Sequence, residues 1–230
     1  MSVGGSTRAI VAAMVANAGI AVAKFVAYLV TGSASMLAEA IHSVADTSNQ
    51  GLLLLGGRKA AKLADDRHQF GFGRERYFWA FVVAMVLFAL GGLFSIFEGV
   101  EKITHPHQPE SLGWAVGVLL FAMAAEGASF RTAIREARHL KGNRSWWRFV
   151  RASRNPELPV VLLEDAGALL GLVLALAGVS LTAVTENGLW DGLGTLAIGI
   201  LLVVISIVLT AEMKSLLIGE AATEEHVAAL

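Results

Sequence analysis

Six apolar stretches, each close to the length needed to cross a bilayer, constrain this chain more than any motif in it. A helix needs about 20 apolar residues to span the ~30 Å hydrocarbon core. The stretches run over about Ala9–Val30, Ser35–Gly56, Tyr77–Val100, Leu112–Phe130, Pro156–Ala183 and Leu189–Leu217. The composition agrees, with 55% hydrophobic residues, 16% charged residues and a mean hydropathy of +0.63. That is too apolar for an ordinary soluble domain. The expected fold is an all-α membrane protein, a six-transmembrane-helix bundle. Residues 1–218 would form the transmembrane domain. Short turns should join the first pair of helices at Thr31-Gly32-Ser33 and the last pair at Thr185-Glu186-Asn187-Gly188, with Gly and Asn supplying the turn chemistry.

Basic residues orient the bundle. Arg58, Lys59, Lys62, Arg67, Arg74 and Arg76 crowd between the second and third stretches, and a second basic run extends from Arg131 to Arg154. The opposite loops hold only Lys102. The positive-inside rule then predicts both termini in the cytosol of a multi-pass protein of the plasma membrane. Trp146 and Trp147 lie among the arginines and read as headgroup-level anchors to membrane lipids. A net charge of −1 gives no reason to expect nucleic acid as a partner. The absence of cysteine excludes disulfides and thiolate metal sites. The N-terminus does not read as a cleavable signal peptide.

Against this apolar background the ionisable residues stand out. The second stretch carries Glu39, His42 and Asp46, and the fifth carries Glu164 and Asp165. His42 and Asp46 are four apart and share a helix face. From a rise of ~1.5 Å per residue, Asp46 and Asp165 both lie about 15 Å deep, near the bilayer midplane. Ionisable groups at that depth are costly and usually handle ions or protons. A divalent ion lets several carboxylates remain ionised together. An imidazole nitrogen suits zinc and its transition-metal neighbours better than calcium or magnesium. Metal binding displaces protons from such ligands, so it is inherently proton-coupled. His42, Asp46, Glu164 and Asp165 are therefore the candidate metal ligands. The alternative is a polar cluster that serves helix association alone.

Other polar residues are less sharply assigned. Glu39, one turn before His42, reads as a ligand, a positioning acid or an entry residue. Asn49, one turn beyond Asp46, would orient it. Glu126 would line the path or pair with Arg131. Lys24 would snorkel or pair with an acid. Asp191, at the start of the sixth helix, would cap it and sit favourably in its dipole. Asn155-Pro156 would start the fifth helix. No His-Glu-x-x-His or other catalytic pattern is present, so an enzyme is not expected and no cofactor is implied.

Three stretches together resemble the cation diffusion facilitator family of zinc transporters. They are Thr31 through Asp46, Asp65 through Glu75, and Leu189-Trp190-Asp191-Gly192. The resemblance covers about Ala16 to Glu220. It implies six helices and a secondary transporter that exports a divalent cation, first of all Zn2+, in exchange for H+ by alternating access. In such transporters helices two and five each usually supply a His-x-x-x-Asp pair. Here His42 and Asp46 match, but aligning Asp165 puts Val161 at the second histidine position. Glu164 is the natural substitute, although it points about 100° from Asp165 on a helix. An oxygen-richer site would also accept Mn2+, Fe2+ or Co2+. The family's loop pattern Asp-x-x-His-x-x-x-His is matched by Asp65 and His68 but ends in Phe72, so that site is expected to be weak or absent. The family usually continues into a cytosolic domain that supports dimerisation. Residues 219–230 are expected to be only a short cytosolic tail, with that domain absent, which leaves a homodimer compatible but without its usual support.

Overall fold

The computed structural model describes residues 3–106, 112–153 and 157–219, and these are helical nearly throughout. The helices are α1 Val3–Thr31, α2 Ala34–Ala60, α3 Glu75–Val86, α4 Phe94–Thr104, α5 Leu112–Lys141, α6 Trp146–Ala152, α7 Glu157–Thr185 and α8 Leu189–Ile218. A π-helical stretch, Leu87–Leu93, joins α3 to α4, so Glu75–Thr104 forms one long helical run. Six long runs result, at the places the apolar stretches predict. Among the described residues, four of them are long and apolar enough to cross a membrane: Glu75–Thr104, Gly113–Arg138, Glu157–Thr185 and Leu189–Ile218. The polar residues of α2 dilute its hydropathy, and among the described residues of α1 a shorter apolar part, Asn17–Thr31, stands out.

The long helices pack α1 on α2, α2 on α3, α4 and α7 on α8, and α5 on α7. Their shared core is aliphatic, with Val83, Leu87, Leu172, Ile198, Leu202 and Leu209 buried. Glycine sets the closest approach. A Cβ on Gly99 of α4 would lie 2.6 Å from the Leu196 backbone nitrogen, and one on Gly199 of α8 would lie 2.6 Å from that of Ile96. These two helices therefore meet backbone to backbone, which small residues permit in membrane bundles.

Three local expectations need correction. Arg131–Lys141 is helical and extends α5 well beyond Phe130, and Trp146–Ala152 forms a helix of its own capped by Ser145. The basic segment is thus mostly helix; arginine and lysine are good helix formers once outside the lipid. In the α7–α8 turn the left-handed residue is Glu186 (φ 54°), whereas Gly188 is right-handed (φ −63°). Asn187 contributes instead by accepting the Leu189 N–H through Oδ1 at 3.0 Å. The α1–α2 turn follows expectation, with Gly32 at φ 64° and Ser33 capping α2. Asn155, Pro156 and residues 220–230 lie outside the described residues.

Candidate functional site

The α1–α2 turn aims one face of α2 into the bundle, and Glu39, His42, Asp46 and Asn49 are all buried along it. Helical spacing carries Asp46 under His42, with Nε2 to Oδ2 at 3.6 Å. Neither ring nitrogen of His42 has a hydrogen-bond partner, and Asp46 Oδ1 has none either. Buried polar atoms are nearly always paired, so these unpartnered atoms set the cluster apart from the rest of the core. Gly91 of the π-helical stretch faces the imidazole; a Cβ there would lie 3.9 Å from Nδ1. Local π turns inside helices frequently occur at functional sites.

Glu164 and Asp165 approach from α7, and both are buried. The Asn49 side-chain amide donates to Glu164 Oε1 and ties α2 to α7. Asn49 therefore orients Glu164 rather than Asp46. Ser129 of α5 donates to Asp165 Oδ2 at 3.3 Å. Asp46 lies within electrostatic reach of Glu164, Glu126, Lys24 and Asp165. Glu126 is buried on α5, with Lys24 and Glu39 acting on it and one oxygen unpartnered, so it faces the interior and not Arg131. Five acids thus converge on one region of the core. Among the described residues, however, no three His, Asp or Glu side chains stand close enough to hold one ion together. The two halves of the predicted ligand set face each other, with the α7 acids turned toward Asn49 and Ser129.

Two residues that the sequence left bland have specific partners. Lys24 of α1 is fully buried and donates to Glu39 Oε2 at 2.9 Å and to Ser43 Oγ at 2.7 Å. Asp191 does not cap its own helix. It accepts from Ser33 Oγ (2.8 Å), Ala34 N–H (2.9 Å) and Ser35 Oγ (2.5 Å), and so caps α2 from α8. The signal was present as Thr-Gly-Ser-x-Ser beside Trp-Asp-Gly, but the partner lay far away in sequence.

The loop pair Asp65 and His68 does meet. Asp65 Oδ1 accepts the His68 N–H at 2.6 Å and the Arg67 N–H at 3.0 Å, with His68 Nδ1 at 3.0 Å. These bonds, led by the His68 backbone, hold the Asp65 carboxyl below its ordinary range. Phe72 occupies the place of the expected histidine, its ring centroid 4.4 Å from that of His68. The pair is exposed and builds an aspartate turn.

An all-helical bundle with long apolar helices and a buried histidine among carboxylates defines a multi-pass membrane protein with ionisable groups in its interior. Residues 10–218 match the pattern of the cation efflux transmembrane domain, and the chain belongs to that family, the cation diffusion facilitators. It is 40% identical over 207 residues to the mouse and human proteins named proton-coupled zinc antiporter SLC30A9, mitochondrial, covering 89% of this chain and 36% of theirs. It is 30% identical over 224 residues to metal tolerance protein C4 of Arabidopsis thaliana, covering 96% of this chain and 49% of that protein. The chain thus spans about a third to a half of the length of these relatives. The expectation that it is not an enzyme agrees with a family named for cation efflux.

Proposed function

We propose that the chain forms a six-span domain with cytosolic termini that exports a divalent metal cation, zinc foremost, from the cytosol in exchange for protons. The carrying observation is His42: fully buried, both ring nitrogens unpartnered, and stacked over Asp46 opposite the α7 acids. The relatives named as proton-coupled zinc antiporters support the substrate and the coupling. An arriving ion would draw Asp165 from Ser129 and Glu164 from Asn49 toward His42 and Asp46. That step shifts α7 against α2 and links occupancy to alternating access. Protons compete for the same imidazole and carboxylates, so release on the far side reloads the site with protons. Selectivity broader than zinc, toward Mn2+, Fe2+ or Co2+, is favoured by Val161, which leaves three oxygen donors to one nitrogen. The membrane must carry a proton gradient. The plasma membrane is our expectation from the sequence, although the mammalian relatives are named as mitochondrial.

The test is zinc uptake into proteoliposomes under an imposed pH gradient. Wild-type protein should concentrate zinc, and His42→Ala, Asp46→Ala and Asp165→Ala should each abolish uptake. Unchanged transport by Asp46→Ala or Asp165→Ala refutes the site.

A further inference from the structure

Lys24 is the one fully buried lysine or arginine among the described residues, and the transport step proposed above gives it no task. Its ammonium sits against two oxygens of α2, Glu39 Oε2 at 2.9 Å and Ser43 Oγ at 2.7 Å. Glu39 and Ser43 are four apart, so the helix itself presents both oxygens on one side. The second carboxylate oxygen of Glu39 is buried and has no hydrogen-bond partner. It lies against α7 at Gly171, where a Cβ would stand 2.6 Å away. An ammonium is a compact point charge with three donors and a flexible stem. Here it takes the place of a cation between oxygen donors. Oxygen-only surroundings of this kind suit a hard divalent ion such as Mn2+.

We propose that Glu39 and Ser43 form a second cation site, which the chain fills with its own Lys24 ammonium. The tethered charge keeps Glu39 out of the ligand set at His42 and Asp46. It thereby limits the interior to one mobile divalent ion, a role that rests on the transport reading above. The geometry explains why an acid one turn from His42 is not turned toward it. It also explains why a lysine, which cannot leave, stands among five acids. Lys24 acts on both His42 and Asp46 through space, so its charge is part of what an incoming ion meets.

The experiment counts ions bound to the purified full chain in detergent, by calorimetry and elemental analysis with Zn2+ and, separately, Mn2+. Wild type and Lys24→Arg should bind one ion per chain. Lys24→Gln should bind a second, with Mn2+ taken up more readily than by wild type. Lys24→Gln/Glu39→Gln should return to one. A helical, monodisperse Lys24→Gln that still binds a single ion overturns the proposal. Should Lys24→Gln not fold, Glu39→Gln decides. It leaves the ammonium uncompensated, so zinc affinity at His42 and Asp46 should fall roughly tenfold; an unchanged affinity overturns the proposal. The transport reading fails separately, if His42→Ala leaves wild-type zinc stoichiometry intact. The Glu39-dependent second ion of Lys24→Gln is read whichever way that result falls.

Discussion

Replacing Asp191 by alanine tests whether one carboxylate on α8 holds the N-terminal end of α2. Three groups donate to it: the hydroxyls of Ser33 and Ser35 and the Ala34 backbone N–H. Its own N–H is received by Thr182 Oγ1 of α7 at 3.1 Å, so α2, α7 and α8 meet at this one residue. Asp191 is fully buried, and water cannot replace it without reorganisation. At ~0.6 kcal/mol per interhelical bond, the average in membrane bundles, three bonds amount to about 2 kcal/mol. Leaving buried donors unpaired costs ~1–3 kcal/mol each, and losing a cap ~1 kcal/mol, although these contributions overlap. The expected loss for Asp191→Ala is therefore about 2–4 kcal/mol. Asp191→Asn keeps one oxygen acceptor, and the serine hydroxyls can turn to accept from its amide, so about 1 kcal/mol should be lost. Reversible unfolding in mixed micelles gives the free energies, and amide exchange at Ala34–Leu37 shows whether the loss is local. A loss below ~0.5 kcal/mol, within ordinary surface-substitution range, would refute the reasoning. So would unchanged exchange at those amides.

Gly99→Ala would press a methyl against the Leu196 backbone at 2.6–2.8 Å, where no rotamer can give way. Melting of the purified protein should show a loss of about 1–3 kcal/mol or more, and a neutral result would mean α4 and α8 are not in backbone contact. Asn49→Ala releases Glu164 from its amide and should raise zinc affinity about fivefold, the equivalent of ~1 kcal/mol. A weaker site by calorimetry would show that Asn49 presents Glu164 instead of holding it back. The depressed carboxyl of Asp65 predicts a loop turn whose stabilisation is complete above pH 3.8 and is lost as pH falls through the lowered value. Exchange protection of the His68 amide should therefore persist to pH 4 and fade below it; protection already lost well above pH 4 would refute this reading.

Particular residues show how far the sequence could be read. His42 and Asp46 were legible as a pair because helical periodicity alone places i and i+4 on one face. The basic residues marked two segments, yet Arg131–Lys141 proved helical because charge sets where lipid ends and not where a helix ends. Asp191 does lie in the first turn of α8, but its capping partners were missed, since capping rules look along the chain and those partners lie at the start of α2. Glu186 took the left-handed turn position that Asn187 and Gly188 were better suited to fill.

The sequence by itself determined where the long helices run and which of them carry ionisable groups. Hydropathy, turn residues and a rise of ~1.5 Å per residue are local properties, readable one segment at a time. Only the tertiary structure decided which polar group answers which: Lys24 with Glu39, 15 residues apart; Asn49 with Glu164, 115 apart; Ser33 with Asp191, 158 apart. Those pairings depend on the rotation and crossing of packed helices, which glycine contacts such as Gly99–Leu196 fix and no single segment contains.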